Sequence, residues 1–175
     1  MFLRSISILL SVTGIACSST ASDDTGELQY DPGVLLGTGE YEWEDLTDSG
    51  AVYVIFGPQG GYHLLGSVRT RGIEAGDNED LTSTSNPTVQ FSVIWDDEEF
   101  VMSGDITQGL DPVIDETATW THEMIGRFAI LDIVTDEDIS GQNVDFTVKV
   151  TTSEGIQYTD TMELIVEPHP NNHIE

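Results

Sequence analysis

The chain has 175 residues, with 32 Asp and Glu against 5 Lys and Arg, a formal net charge of −27 and a pI of about 4.1. Phosphate backbones are bound by Lys and Arg, so this balance argues against nucleic acid as a partner and against electrostatic attraction to anionic lipid. With 38% hydrophobic residues there is material for one packed core, and the length suits a single domain. One cysteine excludes an internal disulfide framework and any multi-cysteine metal cluster.

The first residues read as an export signal. Met1–Arg4 supplies a short positive region, and Ser5–Val12 is an apolar stretch too short to span a membrane. Gly14 and Ala16 place small residues three and one positions before Cys17, the only cysteine, as a signal peptidase requires. The pattern resembles a bacterial lipoprotein signal, with residue 14 smaller than the aliphatic usual there. The resemblance implies cleavage after residue 16, lipidation of Cys17 and anchorage in the cell envelope. Ser18, rather than Asp, implies the outer membrane. Residues 17–33 then read as a lipidated cysteine and an acidic tether, since Ser18–Glu27 has no apolar period.

Residues 34–167 read as strands, because apolar residues recur with period two rather than 3.6. Glu40–Asp45 predicts an edge strand. Ala51–Phe56 is apolar throughout and predicts a central strand covered on both faces. In Tyr62–Arg71, Tyr62, Leu64, Gly66 and Val68 should face the core, with His63, Leu65, Ser67, Arg69 and Arg71 opposite. Val89, Phe91, Val93 and Trp95 alternate in the next run. The acidic turn Asp96–Glu99 then leads to Phe100, Met102, Gly104 and Ile106. Met124–Val134 supplies another strand. Val144–Val150 and Tyr158–Val166 should form a hairpin across Ser153-Glu154-Gly155. Together these predict an all-β fold, an antiparallel immunoglobulin-like β-sandwich of about eight strands without the immunoglobulin disulfide. Residues 168–175 read as a disordered tail.

Candidate chemistry is sparse. Asp136-x-Asp138-x-Ser140-Gly141 matches the opening of an oxygen-rich calcium loop, but Thr147 stands where the bidentate Glu should be. The competing reading is an acidic connection between strands, with a structural Ca2+ as the alternative. His63 and His122 are the histidines within the domain and the candidate ligands for copper or zinc. No nucleophile elbow, phosphate-binding loop or paired-histidine zinc motif is present, so no catalytic residue is assigned. Acidic pairs alone are a slender basis for a carbohydrate-active enzyme.

Gly57–Arg71 (GPQGGYHLLGSVRTR) is the most distinctive stretch. Pro58 fixes one backbone angle and Gly60-Gly61 permits positive φ, so the turn should hold Gln59 in a defined place. Gln59, His63 and Arg69 form a candidate site for an anionic or carbonyl-bearing ligand, set against a purely structural turn. The segment resembles one carried by uncharacterised secreted lipoproteins of myxobacterial type, Gly-Pro-Gln-Gly-Gly-aromatic-His before a strand. That resemblance implies a sandwich-like extracellular domain and brings no activity with it. The leading expectation is a non-enzymatic, lipid-anchored binding or envelope-surface module for a small-molecule, glycan or protein ligand. The rival is a small metal-binding envelope protein.

Overall fold

A computed structural model of the chain describes residues 31–58, 60–101, 103–114 and 119–172. Eleven strands follow one another: β1 Gly33–Thr38, β2 Glu44–Asp45, β3 Ala51–Phe56, β4 Tyr62–Arg71, β5 Thr88–Trp95, β6 Glu98–Glu99, β7 Ile106–Thr107, β8 Asp111–Pro112, β9 His122–Leu131, β10 Asn143–Thr151 and β11 Gln157–Pro168. The all-β expectation holds. The helical content of the described residues is a single 3-10 turn at Asp136–Asp138, and no helix there is long and apolar enough to cross a membrane.

The strands join in one open, mixed sheet ordered β2-β1-β4-β3-β11-β10-β5-β6, with β9 on the far side of β4. Purely antiparallel pairing, as expected from the sequence, is corrected at one seam: Ile165–Pro168 of β11 runs parallel to Ala51–Val54 of β3. Alternation specifies which face a strand buries but carries no information about which partner it takes. The count of about eight strands rises to eleven because three strands lie where no alternation is legible, the six-residue β1 and the two-residue β6 and β8.

The sheet folds over so that β4 faces β5, which gives the domain its sandwich-like form. Gly66 of β4 allows this approach: a Cβ there would lie 2.6 Å from the Phe91 ring of β5. Phe91 packs in turn on Phe146 of β10 at 5.9 Å between centroids. Leu36, Val54, Leu64 and Val68 meet Val93, Phe146, Val148 and Leu164 in this core. The inward residues of the C-terminal hairpin keep the expected register, with Val150 opposite Tyr158 and Phe146 opposite Met162. The Leu36 amide, on the open side of β1, donates to the Asp160 carboxylate at 2.8 Å.

Several local expectations are revised. Ala51–Phe56 is covered on one face only: Val52 and Val54 are buried, while Ala51, Tyr53 and Phe56 are exposed. The strand covered on both faces is β4, where His63, Leu65 and Ser67 of the outer face are buried as well as the core side. Residues 39–43 cross its outer face: Ser67 Oγ reaches the Gly39 carbonyl, and Trp43 lies over Arg69. That crossing shortens the expected edge strand Glu40–Asp45 to its last two residues. The Phe100–Ile106 strand is reduced to a bridge from Val101 to Leu131 and to β7; Met102 lies outside the described residues. The expected strand at Met124–Val134 is displaced toward the N-terminus, to His122–Leu131.

The tail is tied down rather than loose through Asn172. Pro168 ends β11, the His169 amide donates to the Val54 carbonyl at 3.0 Å, and Asn172 bridges Phe56, Val54 and Asp136. Polar composition suggests disorder only until such side chains find backbone partners.

Candidate functional site

The outer face of β3, β4 and β9 carries the site. β3 and β4 are joined by the distinctive glycine-rich turn, closed by hydrogen bonds from the Gly57 amide to the Gly61 carbonyl (2.9 Å) and from the Gly60 amide to the Gly57 carbonyl (3.0 Å). Gly60 and Gly61 take φ of 82° and 93°, a region costly for other residues. The register then sets Ile55 beside His63 and His63 beside Ile130, with Leu65 beside Phe128 one step on. Turn and strands enclose a cavity of about 230 Å3 bounded by Gly57, Pro58, Gly60, Gly61, Tyr62, His63, Phe128 and Ile130.

His63 is the one imidazole in this cavity. It is 8% exposed, and its ring lies 4.4 Å from the Phe128 ring. Among the described residues no hydrogen-bonding partner reaches either ring nitrogen. Burial holds its pKa below the usual histidine value, partly offset by the negative charge of Glu40. His63 is therefore neutral at pH 7, with one nitrogen able to donate and the other to accept. Phe128 and Ile130 stay exposed beside it, so the cavity opens onto an apolar rim.

The residues singled out from sequence do not all converge. Gln59 lies outside the described residues, as does Cys17. Arg69 is six positions from His63 along β4, about 20 Å at the rise of an extended strand. Its guanidinium is engaged locally, with Nε 2.8 Å from Glu123 Oε2 and the Trp43 ring 4.5 Å away. Arg69 and Glu123 are direct cross-strand partners, which makes this a structural pair. Arg71 stacks similarly on Trp120 at 4.8 Å.

The candidate metal ligands are likewise dispersed. His122 pairs with Thr70, seven positions along β4 from His63 and so about 23 Å away. Its Nδ1 lies 3.0 Å from Thr121 Oγ1, and burial lowers its pKa. Asp138 accepts the backbone amides of Val134 and Thr135, both at 2.9 Å, which depresses its pKa. Asp136, 2% exposed, accepts from Asn172 Nδ2 at 2.8 Å. The two carboxylates that opened the calcium-like pattern are thus turned to local hydrogen bonds. Among the described residues no group of three or more His, Asp or Glu is placed to hold a metal ion.

Phe128 and Ile130 were not singled out in the sequence, where they read as part of an ordinary strand. The signal that finds them is register: only the pairing of β9 with β4 places them beside His63. Compared with known proteins, the chain matches no family model, no curated protein and no solved structure.

Proposed function

We propose that the chain is an exported bacterial envelope protein, lipid-anchored at Cys17, whose sandwich-like domain is a non-enzymatic binding module. The observation that carries the binding role is the cavity under the Gly57–Gly61 turn, where a neutral imidazole without a hydrogen-bond partner lies 4.4 Å from the exposed Phe128 ring. Its ring nitrogens carry no hydrogen bond among the described residues and line the cavity, so they can donate to and accept from a ligand that enters it. At about 230 Å3 the cavity is smaller than sites for drug-sized ligands, which fits a single ring or branched group. The signal-like residues 1–16, the lone Cys17 and the following Ser18 support outer-membrane anchorage. The immunoglobulin-like arrangement is the finer reading of the fold, supported by the β10–β11 hairpin and the packing of Phe91 on Gly66.

Two experiments test this reading. Small apolar, glycan and peptidoglycan-fragment libraries should yield ligands whose binding is abolished by Phe128→Ala and weakened by His63→Ala at unchanged melting temperature. Hits retained by both variants would place binding elsewhere. In a bacterial host, Cys17→Ser should move the protein from the membrane fraction to the soluble fraction; retention in the membrane would overturn the anchor.

A further inference from the structure

Position 57 controls what can reach His63. A Cβ at Gly57 would lie 3.3 Å from Cε1 and 3.4 Å from Nδ1 of the His63 ring, with the Gly61 carbonyl oxygen at 3.7 Å. The missing side chain therefore keeps the space beside this part of the imidazole open. Backbone conformation does not require the glycine, because Gly57 lies outside the positive-φ region that Gly60 and Gly61 occupy. Crowding against the backbone does not require it either, since the nearest atoms belong to the imidazole. The fold accepts alanine at position 57; access to the ring does not.

That open space is where a ligand's hydrogen-bonding atom would stand. Such an atom sits about 2.7–3.2 Å from a ring nitrogen, only slightly closer than a methyl carbon at position 57 would be. The Gly57 and Gly60 amides are spent on the Gly61 and Gly57 carbonyls, and Pro58 has no N–H. Thr70 Oγ1, Arg71 Nε and Arg127 Nε are sealed in the protein without a partner, whereas the unpartnered His63 nitrogens keep contact with the cavity. A hydroxyl suits either tautomer of a neutral imidazole, because it can donate to the bare nitrogen or accept from the protonated one. An anion suits neither, since the negative charge of Glu40 acts on this ring and the chain carries −27. A dry cavity of about 150 Å3 holds a benzene ring, so about 230 Å3 takes a ring with one substituent, set against Phe128 and Ile130.

We propose that the cavity is a site for an uncharged aromatic compound bearing a hydroxyl, and that Gly57 sets this specificity by keeping Nδ1 of His63 open to the hydroxyl oxygen. This inference rests on the binding-module reading and names its ligand class. Free phenols and benzyl alcohols, and the side chain of tyrosine, present this chemistry.

The test is NMR titration of the full-length chain with benzyl alcohol, toluene and benzoate, read at the amides of Gly61, His63 and Ile130. Gly57→Ala should keep the melting temperature and weaken benzyl alcohol roughly three- to tenfold, the worth of one neutral hydrogen bond, while toluene changes by less than about twofold. His63→Phe, which keeps a ring and removes both nitrogens, should weaken benzyl alcohol by a similar factor. Adding Gly57→Ala to it should cost nothing more, because the two changes remove the same contact. Gly104→Ala, a methyl placed in open space, should alter neither probe. Benzoate should bind more weakly than benzyl alcohol. Tighter binding of N-acetyl-tyrosinamide than of p-cresol would assign the ring to a protein side chain; the reverse would assign it to a free compound. Equal weakening of toluene and benzyl alcohol by Gly57→Ala, no weakening of either, or benzoate binding as tight as benzyl alcohol would overturn the hydroxyl site. If Phe128→Ala still abolishes binding of both probes in that case, the binding module survives without this inference. If no probe perturbs these amides, both fall.

Discussion

Replacing Gly66 with Ala tests the way the sheet folds over itself. In an isolated strand this change would stabilise, because Gly loses more backbone entropy than Ala by about 0.5–1 kcal/mol. Here the new methyl carbon would meet Phe91 Cδ1 and Cε1 at 2.6 Å and Cζ at 2.9 Å. Phe91 is 5% exposed and braced by Phe146, so the ring has little room to withdraw. Contacts this short on a braced ring put the overpacking cost in the upper part of its range, about 2–3 kcal/mol, which outweighs the entropy gain and leaves a net loss of about 1–2.5 kcal/mol. Urea unfolding followed by Trp fluorescence should show a lower midpoint with an unchanged slope. Phe91→Leu alone should also destabilise, by loss of buried ring. In the double variant Gly66→Ala/Phe91→Leu, the smaller side chain leaves space for the methyl, so the combined loss should fall short of the sum by at least about 0.5 kcal/mol. A neutral or stabilised Gly66→Ala, or strictly additive losses, would refute the contact between β4 and β5.

Three further outcomes follow from single residues. Arg69→Ala should cost about 1–2 kcal/mol, because it removes both the Glu123 ion pair and the Trp43 stack, with Arg69→Lys recovering part of that loss and no change in ligand binding. Asp138→Ala should destabilise at neutral pH. Because the folded-state pKa of Asp138 is depressed by the Thr135 and Val134 amides, its contribution is present above the ordinary carboxylate pKa and lost as pH falls through the folded value. Urea midpoints of wild type and variant should therefore converge in acid. His63 should titrate by NMR below the usual histidine midpoint. Its lowered folded pKa means that acidification below about 6.5 charges the unfolded state first, so wild type should lose stability relative to His63→Gln as pH falls.

Much of the fold was legible in the sequence because period-two alternation is a local property. The clearest cases are β5, β10 and β11, where Val89, Phe91 and Val93 and the Val144–Val150 run bury the side expected. β4 was half legible: its core face follows from alternation, but its outer face is buried by residues 39–43 and by the Gly57–Gly61 turn, which are coverings no local pattern announces. The same limit explains β3, whose unbroken apolar run reads as doubly covered although Tyr53 and Phe56 face outward. At the site, the glycine-rich turn and His63 stood out by composition. Arg69 shares their face, yet a strand separates residues along its length by distance rather than by face. Its partners Trp43 and Glu123 come from outside β4 and could not be read from it.

The most direct test of the site is a chemical-shift map of the isotope-labelled protein titrated with benzyl alcohol, a single ring carrying one hydrogen-bonding group. The expected result is saturable perturbation concentrated at Gly57, Gly60–His63, Phe128 and Ile130, with the core side of β4 and the β10–β11 hairpin unmoved. Perturbations centred on the Asp96–Glu99 turn or spread evenly over the acidic surface would contradict it.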